Sequence, residues 1–285
     1  MKTLVDCFPC YINQALDGSR TVTSDESIQK KVLDETVKML QNLDYNRVPA
    51  ETGAEVFRII QRVTGNSDPY LEVKNRFNNF ALELETALRK RIKDSEDPFI
   101  TAALFAITGN IIDFGIGGGI NEERVLAELQ NIARETDVIS NLEQLKQSTI
   151  KAKQILYIGD NAGEIVFDKL FVERLTPAKV TFAVRSEPII NDITMKDAHD
   201  VGLTSLVEVI PSGSCIPGTL VQNCTTEFQD LFYQADVIIS KGQGNYETLH
   251  HEKRPVFFLL KVKCPTVVKT LGKKLGDVMC IVPEI

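Results

Sequence analysis

Between Tyr157 and Leu170 the chain reads "YIGDNAGEIVFDKL": one apolar run ends in Asp160, Asn161 and Glu164 before a second begins. A carboxylate beside a carboxamide offers oxygen ligands only, the set preferred by hard divalent cations such as Mg2+ or Mn2+. Asp160 has a plainer use as the cap of the following helix, and on this loop alone both uses stand. Three further segments tip the balance towards a ligand. "RSEPIINDITMKDAHD" supplies Arg185, Asp192 and Asp197; "KGQGNYE" supplies Lys241, Gly242, Gly244, Asn245 and Glu247; and Lys261 follows "VFFLL". Carboxylates gather behind the first two apolar runs, cations and glycines behind the later ones. That layout suits a cation next to a phosphate, with oxygens holding the ion while lysines and glycine-loop N–H groups meet the anion.

Several chemistries are excluded. No Gly-x-x-x-x-Gly-Lys-[Ser/Thr] loop is present, and "GDNAGE" is not the Gly-x-Gly-x-x-Gly of a dinucleotide fold. Ala162 stands where aspartyl-phosphate phosphatases carry a second Asp. Gly117, Gly118 and Gly119 read as a turn or hinge. His199, His250 and His251 make no ligand pattern.

The elements that must position these residues come in two kinds. "SIQKKVLDETVKMLQNL", "ETGAEVFRIIQRVTG", "DPYLEVKNRFNNFALELETALRKRIKDS", "DPFITAALFAITGNIIDFG" and "NEERVLAELQNIARET" repeat apolar residues at three and four, the spacing of helices with one buried face. The fourth is nearly all apolar, as a buried helix would be. After about residue 150 come "QILYIG", "KVTFAV", "LVEVIP", "DVIIS", "VFFLL" and "VMCIV", mostly apolar throughout, as strands covered on both faces are. The expectation is an α/β fold: a doubly wound, mostly parallel sheet with helices on both faces over residues 151–285, and an all-helical cap domain over 1–150. Ligands of such sheets sit beyond the carboxyl ends of the strands, where Asp160 and Asn161 fall.

The quoted segments, with "DCFPC" near the start and "GNIIDFG" in the helical half, resemble the damage-control phosphatase family, formerly a family of unknown function, nearly end to end. The Cys7-x-x-Cys10 pair resembles the branch found in archaea and some bacteria. The resemblance implies metal-dependent hydrolysis of phosphate monoesters on sugar phosphates or damaged phosphometabolites, with Mn2+, Co2+, Ni2+ or Mg2+ held by Asp160, Asn161 and a later Asp. Asp197 is taken as that third ligand and Asp192 as its competitor. By the same resemblance Lys261 binds phosphate, and Lys241, Asn245 and Glu247 contact substrate; Glu164, Asn110 and Asp113 fall in motif positions. The mechanism expected is in-line attack by a metal-activated water, with Asp197 or Glu164 taking its proton.

Composition frames the reading. A chain of 285 residues with a formal charge of −7 does not suit nonspecific nucleic-acid binding, which needs an excess of Lys and Arg on some face. No segment reads as an export signal or a membrane span, so a cytoplasmic location is expected and the six cysteines are read as thiols, metal ligands or core residues. Cys7 and Cys10, joined by Cys264, form a candidate second metal site, weighed against plain burial. Two rival readings remain: a non-catalytic phosphometabolite- or nucleotide-binding module, and a carboxyl methyltransferase. The second is disfavoured because "GDNAGE" puts charge where S-adenosylmethionine needs close backbone approach.

Overall fold

The structure, a computed structural model, describes residues 1–109 and 136–282. Asn110, Asp113, the three glycines at 117–119 and most of the helix expected over 121–136 lie outside the described residues.

Helices start where the sequence offers a cap. Helix α1 spans Phe8–Val22, and α2 (Glu26–Leu40) opens on Asp25, whose side chain accepts the Ser27 N–H at 2.8 Å. In α3 (Pro49–Thr64) proline occupies the first turn, where its missing N–H costs nothing, and Glu51 accepts the Val48 N–H at 3.0 Å. It ends on Gly65 at φ 73°, a left-handed C-cap suited to glycine. Helix α4 runs Leu71–Asp94. Helix α5 (Pro98–Gly109) is capped by Asp97, which accepts the Phe99 and Ile100 N–H groups, and α6 is Thr136–Lys151. The helical periodicity picked out α2 to α5; α1 and α6 were not among the segments it flagged.

All six expected strands form: β1 Gln154–Ile158, β2 Lys179–Val184, β3 Glu208–Pro211, β4 Val237–Lys241, β5 Phe257–Lys261 and β6 Val278–Ile281. They make one sheet in the order β3-β2-β1-β4-β5-β6, parallel except for β6, which runs antiparallel to β5. Between them lie α7 (Glu164–Val172), α8 (Met195–Asp200), α9 (Thr226–Gln234), α10 (Gln243–Leu249) and α11 (Pro265–Leu271).

Side chains of β1 alternate between two cores. Ile155 and Tyr157 join Leu88, Phe105, Leu142 and Phe167 of α4 to α7 on one face. Leu156 and Ile158 join Phe228, Phe232, Tyr246 and Val267 of α9 to α11 on the other. Both faces are covered, which is why these strands read as continuous apolar runs.

The boundary expected at residue 150 does not separate these cores. Helix α5 buries ten of its twelve residues, and a helix apolar all round needs cover on every side. Helices α4, α6 and α7 and the sheet supply that cover, so α4 to α6 are part of the sheet's own layer. Only α1 to α3 keep a separate small core, around Tyr11, Ala15, Val32, Val56 and Ile60.

Candidate functional site

Strand register brings three loops to one level. Ile158 of β1 pairs with Ala183 of β2 and with Ser240 of β4. Two residues further on, Asp160, Arg185 and Gly242 therefore lie side by side at the carboxyl edge, where the strand order reverses and α/β sheets bind ligands. Backbone bonds then tie the loop after β1 to the segment after β2. Ile193 N–H donates to Asp160 O, Ala162 N–H donates to Asn191 O, both at 2.9 Å, and Asn161 comes to face Asp192 in an antiparallel bridge.

Gly242 makes the close approach possible. Its φ of 78° with ψ of 165° belongs to glycine, and a Cβ there would lie 1.8 Å from Asp160 Oδ2. Gly242→Ala is expected to displace the Asp160 carboxylate and lower turnover by about 10²-fold, the usual cost of misplacing a reacting group by about an ångström. Steady-state kinetics with a circular-dichroism control check this; unchanged turnover would show that Asp160 need not stay where the backbone holds it.

The acidic groups here are crowded: Asp192 pairs with Arg185 and Glu164 with Lys241, while Asp160 has no direct ion pair among the described residues. Asn161 Nδ2 donates to Asp160 Oδ2 at 2.7 Å and to Glu164 Oε1 at 2.8 Å. Burial first, then repulsion from Glu164 and Asp192, holds the Asp160 pKa well above the carboxylate range, against the pull of Arg185 and Lys263. Burial pushes Asp192 up to about 6 although Arg185 Nε donates to its Oδ2 at 2.7 Å. Buried carboxylates that repel one another beside a carboxamide fit a hard cation, with Asp160, Asn161 and Asp192 as its holders.

Asp192 and Asp197 are separated by their partners. Asp197 Oδ2 accepts from Thr194 N (2.9 Å) and Thr194 Oγ1 (2.8 Å), so the residue caps α8; its Oδ1 accepts from Asn78 Nδ2 at 3.0 Å. Lys74 stands 3.7 Å away, and Asn78 Oδ1 in turn accepts the Gly163 N–H at 2.7 Å. Both oxygens of Asp197 are thus spent on tying α4 and α8 to the loop after β1. The residue that meets Asp160 and Asn161 is Asp192. The chain leaves β2 and doubles back through residues 191–194 before α8 begins, a turn that spacing along the sequence does not reveal.

Of the expected substrate contacts, three are internal struts. Lys241 is fully buried and pairs with Asp168 at 2.7 Å and Glu164 at 3.3 Å. Arg185 donates to Asp192, to Thr219 Oγ1 (2.9 Å) and to Asn245 Oδ1 (3.0 Å). Asn245 Nδ2 donates to Gly159 O (3.1 Å) and Lys241 O (2.8 Å), which spends the side chain.

A cavity of about 320 Å3 opens at this level, lined by Asp160, Asn161, Asp192, Gly244 and Glu247, with Cys10, Tyr11 and Gln14 of α1 across it. Its lysine is Lys263, in the turn after β5. Lys261 ends the strand half-buried and is not among the lining residues. Lys263 was missed because Lys261 is the first cation after the apolar run.

Cys7, Cys10 and Cys264, the three thiols expected as a second metal site, form no ready-made cage among the described residues. Cys7 is buried with its Sγ 3.9 Å from Thr266 Oγ1, and Cys10 lies at the cavity rim. Burial, then Cys7, Cys264 and Glu247, push the Cys10 thiol up. Among the described residues no helix is long and apolar enough to cross a membrane.

The family model described as the damage-control phosphatase ARMT1-like domain matches residues 3–279. A damage-control phosphatase of Pyrococcus horikoshii is 34% identical over 286 residues, covering 99% of this chain and 98% of that protein. A damage-control phosphatase of Archaeoglobus fulgidus is 31% identical over 290 residues, covering 100% of both. The crystal structure of a DUF89 family protein from Pyrococcus horikoshii superposes with a TM-score of 0.90 at 33% identity, over 100% of each chain. With the match running nearly end to end in both sequence and fold, the chain belongs to the damage-control phosphatase ARMT1-like family.

Proposed function

We propose that this protein is a metal-dependent phosphatase that hydrolyses phosphate monoesters of small metabolites. The observation that carries the reading is the meeting of Asp160, Asn161 and Asp192 with Lys263 on one cavity, at the sheet's switch point. The likeness to two archaeal damage-control phosphatases supports phosphate-ester hydrolysis.

A divalent ion (Mn2+, Co2+, Ni2+ or Mg2+) held by Asp160, Asn161 and Asp192 would polarise a phosphoryl oxygen and lower the pKa of water. The chain's own groups do the rest. Arg185, locked by Thr219 and Asn245, fixes the Asp192 carboxylate. Lys263 supplies counter-charge to the phosphate from the cavity wall. Of the two expected proton acceptors, Asp197 is spent on Thr194 and Asn78. Glu164 is the base proposed because its bond to Asn161 sets it beside Asp160; its other oxygen pairs with Lys241 at 3.3 Å. Unaided phosphomonoester hydrolysis is among the slowest of biological reactions, so several such contributions must act together.

The test is phosphate release from a panel of small phosphate esters with each of the four ions and with a chelator. Turnover with no ion, or none with any ester, would overturn the proposal. Lys263→Ala is expected to lower kcat/KM by about 10²-fold, the cost of losing one preorganised charge partner. Lys261→Ala should cost less in the same assay; the opposite order would return the phosphate to Lys261.

A further inference from the structure

One backbone conformation in the cavity wall is costly and has no local reason. Ile190 has φ 47°, and it is the only non-glycine residue at positive φ among the described residues. That region crowds Cβ against the carbonyl, and a branched side chain is a rare occupant. Asp192 N–H donates to Ile189 O at 3.0 Å, closing a four-residue turn in which Ile190 takes the second place. Turns with positive φ at that place are normally built on glycine, asparagine or aspartate. A residue held so persists only where its surroundings over-determine it.

Those surroundings come from the three-helix unit. Ile190 is half-buried on the cavity wall and packs against the cluster formed by Ala54 and Phe57 of α3 with Ile189. Ala54 and Phe57 are themselves buried. The next two residues belong to the site. Asn191 O accepts the Ala162 N–H at 2.9 Å, and Asp192 faces Asn161 with its carboxylate on Arg185. Relaxing φ at residue 190 would swing both away from the loop after β1, since nothing intervenes to absorb the rotation.

We infer that Ile190 is a positioning residue for Asp192. Packing on α3 holds the turn in its strained form, so the α1–α3 unit sets the geometry where the ion is held. The inference rests on the metal reading above and deepens it.

Alanine and glycine at this position separate strain from packing. Both remove the contact with α3, but glycine adopts positive φ freely and alanine does not. Ile190→Ala is expected to bind Mn2+ about tenfold more weakly than wild type, and Ile190→Gly within about threefold, by titration calorimetry on chelator-treated protein. Ile190→Asn should fall between them, because asparagine tolerates this region better than alanine. A side chain that only packs would give the reverse order, with glycine the worst. Hydrogen exchange at the Ala162 and Ile193 amides reads the turn with no ion present. It should speed up about tenfold in Ile190→Ala and stay near wild type in Ile190→Gly. Phe57→Leu should weaken Mn2+ binding when Ile190 is present and have no further effect in Ile190→Gly, which traces the coupling to α3. Glycine equal to or weaker than alanine in exchange protection, or both unchanged, would overturn the assignment. No Mn2+ bound by any of these proteins, with the exchange order intact, counts against the metal reading alone.

Discussion

Asp160→Ala is expected to abolish metal-dependent phosphate release while leaving the metal-free protein at least as stable as the wild type. The activity loss should exceed about 10³-fold, since removing one preorganised group alone costs about 10²–10³ and here an ion is lost with it. The stability half follows from the sign of the pKa shift. Burial and the neighbouring Glu164 and Asp192 raise the Asp160 pKa in the fold. A carboxyl with a raised folded pKa contributes stability that is full below its unfolded pKa and is lost as pH rises through the folded value. At neutral pH the metal-free site therefore holds a group that opposes folding, and deleting it should hold or raise Tm. Metal-free wild type should correspondingly be more stable on the acid side of neutrality than on the alkaline side, and Asp160→Ala should flatten that slope. Added Mn2+ should raise Tm for the wild type and not for the variant, because only a binder of the native state stabilises it. Thermal melts from pH 5 to 8 with and without Mn2+, alongside phosphate release, check all of this. A variant that melts lower and still turns over would remove Asp160 from the site.

Lys241→Met should be the most damaging substitution for folding. Lys241 is the buried cation between Asp168 and Glu164, and Asp168 also accepts from Tyr157 Oη at 2.8 Å while its Oδ2 has no partner among the described residues. Burial opposes the lysine's charge, yet Asp168 and Glu164 outweigh it and hold its pKa above the usual value. Removing one partner of a buried pair typically costs about 3–5 kcal/mol. At about 2–4 °C per kcal/mol for a chain of this order, Tm should fall by roughly 6–20 °C. The loss should shrink as pH falls, because Asp168, already pushed up to about 6 by burial, takes a proton once the cation is gone. Lys241→Met with Asp168→Leu should recover much of the stability, since an apolar pair of similar volume can replace a buried ion pair. A shift of only a degree or two in the single variant would show that Asp168 is protonated in the native protein and that the pair is dispensable.

Both predictions concern residues visible in the sequence: Asp160 lies at the strand end where it was expected, and Lys241 turns inward. Asp160 and Asn161 were legible because an apolar strand must end somewhere, and in an α/β sheet its carboxyl end is where side chains are free for chemistry. Lys241 was legible as a residue and misread as a contact. It is the last residue of β4, and its side chain turns towards α7 and into the core, where it meets Asp168 and Glu164. Arg185 and Asn245 were misread in the same direction: polar residues at strand ends serve to lock one another as readily as to meet a ligand. Asp192 and Lys263 depend on backbone paths through turns, which periodicity does not encode.

By itself the sequence determined the fold class, the six strands, helices α2 to α5 and α7, and the carboxylate–carboxamide pair at the end of β1. These are local consequences of apolar spacing and capping chemistry, each set by neighbours within a few residues. Tertiary structure alone decided that Asp192 and not Asp197 faces Asp160, that Lys263 lines the cavity, and that Gln14 of α1 stands across from Glu247. It also decided that α4 to α6 belong to the sheet layer. The reason is common to all four: each depends on strand register and on which helix covers which face, and those are settled by burial between segments far apart in the chain.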